Sequence, residues 1–191
     1  MFYTSVLDER PSLDTMPVLK TTEYPWESGS FKPLCYARTA VIRNEGVLFD
    51  LTAFEREPEC CDFVMDGSCV AITFNFFPEK ADINFTVTLN KKGGYQIFVN
   101  SEQNDELSLD VETYAGEDEQ GWYWGVRFVV TNDILRFLYG VSEIENGHMM
   151  YGNVYKLKLS GDDSHLGALS KIKDEVIFSN GNLCEFTAVT Y

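Results

Sequence analysis

The sequence predicts an all-β fold, an antiparallel β-sandwich of the immunoglobulin-like or jelly-roll type with one short helix. Three observations lead to this prediction. From residue 40 onward apolar side chains alternate with polar ones in short runs, turns that contain glycine separate these runs, and hardly any segment has helical periodicity. Many short strands at this spacing are typical of antiparallel sandwiches.

Turn residues and the alternation of apolar side chains predict where the individual strands lie. Arg-Asn-Glu-Gly at 43–46 predicts a hairpin turn, and Lys-Lys-Gly-Gly at 91–94 predicts a second turn. Between the two turns, every second residue from 70 to 76 is apolar, which places these side chains on one face of a strand. Strands are expected over residues 47–53, 68–76, 83–90, 95–99 and 107–111.

One helix is predicted over residues 133–139, with Asn132 as its N-cap and Gly140 as the residue that ends it. The first part of the chain, residues 1–25, contains three prolines and is predicted to be an extended N-terminal lead-in. The remainder, residues 26–191, is expected to form a single sandwich domain, since 191 residues suit one domain with one core.

The stretch GWYWGVRFVV, residues 121–130, holds two of the three tryptophans of the chain. It could form an aromatic platform for a ligand or a buried strand. Strand alternation places Trp122 and Trp124 on the apolar face and turns Tyr123 and Arg127 outward. Because burying such a side chain stabilises a fold by about 2–3 kcal/mol, we expect both tryptophans in the core.

The charge of the chain disfavours some classes of binding partner. Thirty acidic and fifteen basic residues give a formal charge of -15, which repels a phosphate backbone, and no cluster of Lys and Arg offsets it. Nucleic acid is therefore not an expected partner. The acidic residues concentrate at 101–120 and 162–174, which are interpreted as solvated loops rather than an acidic docking tail.

Five cysteines, an odd number without C-x-x-C spacing, are expected to be reduced thiols. The first residues contain no basic segment followed by an apolar run, and no stretch approaches the roughly 18 apolar residues of a membrane span. The expected location is the cytoplasm, or outside the cell if a leader has been removed. No membrane partner is expected.

Several short segments share motifs with one known family. They are YPW (24–26), FKP (31–33), FEREP (54–58), SCVAITFNF (68–76), GWYW (121–124), GNVYK (152–156) and DSHLG (163–167). In this order they resemble the family 9 carbohydrate-binding modules, a bacterial-type group of DOMON-like β-sandwiches. The strand at 68–76 is similar to the family's D-S-C-V-E-F-F-x-N-F, and residues 152–156 are similar to G-N-F-Y-K. The resemblance covers about residues 22–190.

This resemblance implies a sugar-binding module, of a kind often attached to glycoside hydrolases. A terminal sugar would lie between two aromatic rings, with charged and amide side chains bound to its hydroxyls. The physical basis is general, because a pyranose has an apolar face that stacks on aromatic rings and hydroxyls that need polar partners. Ala71 and Thr88 depart from the family pattern, since they stand where the family has charged residues.

The positions that match name a candidate site. The predicted carbohydrate-binding residues are Trp26, Phe63, Asn153, Tyr155, Lys156 and Phe178. Lys156 is the polar contact that the motif names first, and Phe63 and Phe178 are nearest to the two aromatic positions of the family. The aromatic members could instead pack in the core or seal the end of the sandwich.

The sequence contains few signals for a cofactor site or for a catalytic site. His148 and His165 invite a haem or metal site, but nothing else in the sequence indicates a haem pocket. The acidic residues of 101–120 could bind calcium, as in some family members, although EF-hand spacing is absent. No cofactor is therefore expected, with calcium left open. The sequence contains no nucleophile elbow, Cys/His pairing, P-loop or metal triad, so we do not expect an enzyme.

The favoured hypothesis is a non-catalytic module that binds a mono- or oligosaccharide end by aromatic stacking and polar contacts. The alternative is a sandwich that has lost sugar binding and acts in protein interaction, or as an accessory domain of a glycoside hydrolase system. The sugar and the oligomeric state stay open. An open cleft with aromatic walls beside Lys156 would favour the first hypothesis, and a cleft filled by side chains would favour the second.

Overall fold

The structure is a computed structural model that describes residues 1–26, 32 and 34–190. Within these residues the chain forms thirteen β-strands and one α-helix. They are β1 (Phe2–Leu7), β2 (Leu19–Lys20), β3 (Cys35–Ile42), β4 (Gly46–Ala53), β5 (Cys69–Asn75), β6 (Phe85–Asn90), β7 (Tyr95–Val99), β8 (Glu102–Gln103), β9 (Val111–Asp118), β10 (Gly121–Thr131), α1 (Asn132–Tyr139), β11 (Met149–Lys158), β12 (His165–Ala168) and β13 (Cys184–Val189).

The strands form one continuous sheet that curls into two facing layers. The order is β8-β7-β6-β5-β11-β13-β1-β3-β4-β10-β9, with β12 beside β11 and β2 beside β3. We call the part from β8 to β13 the first layer and the part from β3 to β9 the second layer. Phe49 of the second layer packs on Phe74 of the first, with ring centroids 5.1 Å apart, and Phe186 lies 4.9 Å from Phe74. This shared apolar core between two layers confirms the predicted all-β sandwich with one short helix.

Strand β1 joins the two layers and is the exception to the antiparallel pattern. It pairs in parallel with β13, where Phe2 lies opposite Phe186, and with β3, where Ser5 lies opposite Ala40. Val6 is buried in the main core. Residues 1–25 also contain a short 3-10 helix, Leu13–Thr15, and their first strand is built into the sheet, so this segment is not a lead-in outside the sandwich.

The predicted turn at 43–46 connects β3 to β4. Its last residue, Gly46, has φ +136°, and a Cβ at this position would come within 2.1 Å of the Val130 carbonyl oxygen. Only glycine fits there. The strand predicted at 107–111 is misplaced, because residues 107–110 form no strand and β9 begins only at Val111. The Leu109 N–H donates to the Tyr95 hydroxyl (3.1 Å).

Helix α1 begins one residue earlier than predicted. Its N-cap is Thr131, whose hydroxyl accepts from the Ile134 N–H at 3.3 Å, while Asn132 is the first helical residue. Gly140 ends the helix in the left-handed conformation, with φ +73°, as predicted. No helix in the described part of the chain is long and apolar enough to cross a membrane.

The five cysteines carry free thiols. Cys35 and Cys69 are buried, and this burial raises the pKa of both thiols to about 12. Thiols in such surroundings are unreactive packing groups.

Candidate functional site

The two tryptophans of the GWYWGVRFVV stretch have different environments. Trp124 is completely buried, and its indole N–H donates to Glu55 Oε1 at 2.8 Å. Trp122 is 44% exposed, so its predicted place in the core is wrong. The pairing of β10 with β4 starts at Trp124, so Trp122 lies beyond the end of β4, where it is paired with Glu117 of β9. The Arg56 guanidinium lies 5.5 Å from the centroid of its ring.

Lys156, the predicted first polar contact, lies inside the sandwich. Only 1% of it is exposed. Its ammonium group is 3.1 Å from Glu55 Oε1 and 3.0 Å from His165 Nε2, and it also donates to the Ser68 hydroxyl. Glu55 in turn accepts from Ser68 Oγ at 2.7 Å and from Trp124. We call these five residues the Lys156 cluster.

The electrostatics of the Lys156 cluster favour a charged pair and a neutral histidine. Burial by itself raises the pKa of Glu55, but the Lys156 charge and the hydrogen bonds from Ser68 and Trp124 outweigh it, and the pKa ends below its ordinary value. Burial, followed by repulsion from Lys156, lowers the pKa of His165. Because Ser68 and Lys156 are 3% and 1% exposed, a substrate cannot reach them, and their contact serves the fold.

Tyr155 and Asn153 point to the opposite face of β11 from Lys156, as strand alternation requires. On that face they hold the segment between β12 and β13, residues 169–183, which we call the capping loop. The Tyr155 hydroxyl donates to the Ile177 carbonyl oxygen at 3.1 Å. The Asn153 amide donates to the Asn182 carbonyl oxygen at 2.8 Å. Both side chains are fully buried and act as anchors of the loop.

Asn182 is the internal support of the capping loop. Its side-chain oxygen accepts from the N–H groups of Lys173 and Asp174 at 2.6 and 2.8 Å. Its amide nitrogen donates to the carbonyl oxygens of Val176 and Ile177 at 2.9 and 3.0 Å. One buried side chain thus fixes both ends of the turn that precedes Phe178, a role that no sequence pattern had indicated.

The capping loop and the turn at 64–66 cover the face on which the family resemblance had placed the sugar. A second apolar cluster fills this space. Its buried members are Val64, Met65, Cys69, Ala71, Tyr155, Leu157, Leu166 and Ala168. Ala71 and Thr88, the two positions that depart from the family pattern, are fully buried beneath this cover. The Thr88 hydroxyl is buried without a hydrogen-bond partner among the described residues. No cleft opens at these two positions.

An apolar groove of about 340 Å³ lies at the edge of this cover. Its apolar walls are formed by Met65, Phe98, Leu159, Val176, Ile177 and Phe178. Thr86, Ser101 and Glu175 supply the polar atoms. We call it the Phe178 groove. It combines aromatic walls with a few polar groups, as carbohydrate sites do.

The structure separates the six predicted site residues. Phe178 lines the groove, and its ring meets the Tyr155 ring edge-on with centroids 5.2 Å apart. Phe63 is 40% exposed and stands before the turn whose Val64 N–H donates to Gln96 Oε1 at 2.9 Å. Trp26 is 37% exposed, next to residues 27–31, which lie outside the described residues together with part of the FKP motif.

Sequence reasoning missed Phe98 as a wall of the groove. The signal was present, because residues 95–99 alternate and Ile97 points into the main core. Phe98 must then point outward, on the same face as Ala71 and Thr88. An aromatic side chain directed away from the core beside the expected site was therefore visible in the pattern.

A larger cavity, of about 570 Å³, lies at the C-terminal end of α1 and contains none of the predicted site residues. Its lining carries charges of both signs around His148, whose Nε2 is 2.7 Å from the Phe76 carbonyl oxygen. Among the described residues, no group of three or more His, Cys, Asp or Glu side chains is arranged to hold a metal ion. The expectation of no cofactor, with calcium left open, stays a prediction.

No protein-family model matches the sequence, and no curated protein matches it significantly. Solved structures do match. A candidate carbohydrate-binding protein from Bacteroides uniformis has a TM-score of 0.74 and 17% identity, over 98% of this chain and 99% of that chain. A family 9 carbohydrate-binding module from Caldicellulosiruptor kristjanssonii in complex with cellotriose has a TM-score of 0.69 and 8% identity, over 99% and 94% of the two chains. The fold is that of the family 9 carbohydrate-binding modules.

A second structure of a family 9 module from Caldicellulosiruptor kristjanssonii, in complex with glucose, agrees equally well, with a TM-score of 0.69 and 8% identity over 99% of this chain and 96% of that chain. The family 9 resemblance of the sequence motifs is thus confirmed at the level of the fold. At this low identity the likeness extends to the backbone and not to individual binding residues.

Proposed function

We propose that this chain is a non-catalytic carbohydrate-binding module and that the end of a mono- or oligosaccharide binds in the Phe178 groove. The observation that carries the proposal is the groove itself, an opening with aromatic walls on a fold shared over its whole length with family 9 modules. The Phe98 and Phe178 rings would stack on the apolar face of a pyranose.

Polar groups at the groove fit the hydroxyls of a sugar. Glu175 is exposed and offers two acceptor oxygens, and Ser101 offers a hydroxyl. Thr86 is buried and shares a hydrogen bond of 2.9 Å with the Thr73 hydroxyl, which leaves its second lone pair for a ligand. With Lys156 held in its buried cluster, these groups would replace the charged contacts expected from the family.

A second candidate function is supported by the apolar character of the groove. Its walls are mainly apolar, Lys156 is sealed, and Ala71 and Thr88 are covered. An apolar side chain of a partner protein would fit such a groove, as in the alternative in which the sandwich acts in protein interaction or serves a glycoside hydrolase system.

Isothermal titration with glucose, xylose, galactose, cellobiose and cellotriose tests the first function. We expect at least one sugar to bind, and Phe178→Ala to weaken its binding by roughly tenfold, the value of one lost stacking contact. Trp122→Ala is the matched control, because Trp122 is exposed at the end of the second layer and does not line the groove. Absence of heat with every sugar at millimolar concentration would contradict sugar binding, and equal losses in both variants would contradict the groove.

A further inference from the structure

The outer face of the second layer carries a row of aromatic rings that the proposed groove does not use. Tyr36 of β3, Phe54 at the end of β4 and Tyr123 of β10 all point away from the core. The ring centroids of Tyr36 and Phe54 are 5.1 Å apart, and those of Phe54 and Tyr123 are 6.1 Å apart. All three residues are partly exposed.

Two glycines let tyrosine rings lie low on this face. A Cβ at Gly116 would come within 2.6 Å of the Tyr123 hydroxyl oxygen, and a Cβ at Gly125 would come within 2.2 Å of Tyr114 Cζ. Each ring therefore lies against the backbone of the neighbouring strand. For Tyr123 this leaves the opposite face of the ring on the solvent side, the orientation that a stacking ligand needs, whereas the Arg127 guanidinium lies over the Tyr114 ring, 5.8 Å from its centroid.

Beside the aromatic row, charges alternate across four strands. Arg38, Asp50, Arg127 and Glu112 are neighbours in register, with ion-pair distances of 3.4, 3.4 and 3.3 Å between successive members. The Tyr114 hydroxyl donates to Asp50 at 3.1 Å. The two cations and two anions of the strip cancel in charge. Asp50 is buried, and the partly exposed Arg38, Arg127 and Glu112 are the members that offer hydrogen-bonding groups. Such a strip is complementary to a hydroxyl-rich ligand that carries no charge.

We infer that this outer face is a second glycan-binding surface, which holds a single neutral polysaccharide chain with sugar rings on Tyr36, Phe54 and Tyr123 and hydroxyls on the charged strip. The net charge of -15 disfavours an acidic polysaccharide. The rings are tilted by 70° and 51° to one another, so they form no flat platform, which favours a soluble chain over a flat crystal surface. The surface and the Phe178 groove belong to different layers, so either can exist without the other.

Affinity electrophoresis of the full chain tests this surface. The gels contain hydroxyethylcellulose, mixed-linkage β-glucan, xylan or galactomannan, with carboxymethylcellulose as the charged counterpart of the first. Phe54→Ala and Tyr123→Ala remove rings from the row, whereas Gly116→Ala keeps every ring but displaces Tyr123. Tyr3→Ala, at an exposed tyrosine of β1, is the control for ring loss, and Phe178→Ala reports on the groove.

We expect at least one neutral polysaccharide to retard the wild-type chain, with affinity reduced roughly tenfold in the three row variants and unchanged in Tyr3→Ala. Circular dichroism should show that each variant is folded, and Gly116→Ala decides the matter if a truncation does not fold. The inference is overturned if no neutral polysaccharide retards the chain, if carboxymethylcellulose retards it more, if the row variants behave as wild type, or if Phe178→Ala alone abolishes retardation.

Discussion

The two faces of strand β11 carry buried side chains of different kinds within one short motif, charged on one face and neutral on the other. Toward the second layer, Lys156 belongs to a buried network of charges and hydrogen bonds with Glu55 and Ser68. On the other face, Tyr155 and Asn153 anchor a loop over an apolar cluster. A G-N-x-Y-K motif that resembles part of a sugar site is thus mainly a structural element here. A shared motif can report a shared fold without a shared binding residue.

The difference has energetic consequences. A buried ion pair repays the cost of desolvation only while both partners and their hydrogen bonds are in place, so removal of one partner leaves an uncompensated charge. The loop on the other face depends on neutral hydrogen bonds, each of which contributes about 0.5–1.5 kcal/mol. The charged face should therefore be sensitive to single substitutions, and the loop face should respond in smaller steps.

The largest effect should come from Lys156→Met. This change leaves the Glu55 carboxylate buried without its cation, and we expect the free energy of unfolding to fall by about 3–5 kcal/mol. Urea denaturation measures it. Lys92→Met, at an exposed turn lysine, is the control and should change stability by less than about 0.5 kcal/mol.

Coupling between the two charges sharpens this test. If Lys156 and Glu55 stabilise each other, the double variant Lys156→Met/Glu55→Gln should cost less than the sum of the single variants by about 1–3 kcal/mol. If the losses in free energy of unfolding are additive, the two side chains contribute independently. The expected contrast between the two faces of β11 would then be contradicted.

An intermediate effect is expected for Asn182→Ala on the loop face. The substitution removes the hydrogen bonds to Val176 and Ile177 and those from Lys173 and Asp174, and we expect a loss of about 2–3 kcal/mol. Because Val176 to Phe178 line the groove, amide hydrogen exchange of these residues should become faster.

A matched control for this variant is Asn180→Ala, since the Asn180 side chain bonds Asp82 at the surface. We expect little change in exchange at residues 176–178 with this control. Equal acceleration in the two variants would mean that Asn182 does not organise the loop.

The smallest effect is a dependence of stability on pH that comes from the Lys156 cluster. The pKa of His165 is lower in the folded chain than its ordinary value of 6.5, so below pH 6.5 the unfolded chain binds a proton that the folded chain rejects, and stability falls on acidification. Glu55 acts in the same direction below pH 4.5, because its pKa is also lowered in the fold and the stability it contributes is lost as the pH falls through the folded value.

Thermal unfolding at pH 7.5 and pH 5.5 isolates the histidine. The melting temperature of the wild type should fall by a few degrees between the two values, and that of His165→Gln should fall less. An identical decrease in melting temperature in both proteins would show that His165 does not cause the dependence of stability on pH.

Much of the fold was predictable because strand alternation is a local signal. Residues 70, 72, 74 and 76 are buried as expected, and the turn before Gly46 lies where it was predicted. Strand β1 was missed, because its partners Cys35–Ile42 and Cys184–Val189 are remote in sequence and its run is short. Alternation also predicts which face of a strand a side chain lies on, but not how deeply that side chain is buried. This explains the wrong placement of Trp122.

The site was less predictable than the fold. Phe178 was found through the family resemblance and lines the groove. Lysine is almost never fully buried unless it is paired, and the pairing of Lys156 with Glu55 joins residues that are far apart in sequence, so no local pattern shows it. The role of Asn182 as the support of a loop depends on backbone groups that only the folded chain brings together.

Strand β1 also has a consequence for the order in which the protein can fold as it is made. Residues 2–7 leave the ribosome before both of their partners. Strand β3 follows soon afterwards, whereas the other partner, residues 184–189, emerges much later. Until then one edge of β1 has unpaired backbone groups, a state in which a strand can pair with another nascent chain. The seam between the two layers is therefore the part of the molecule where a chaperone would have the most time to act.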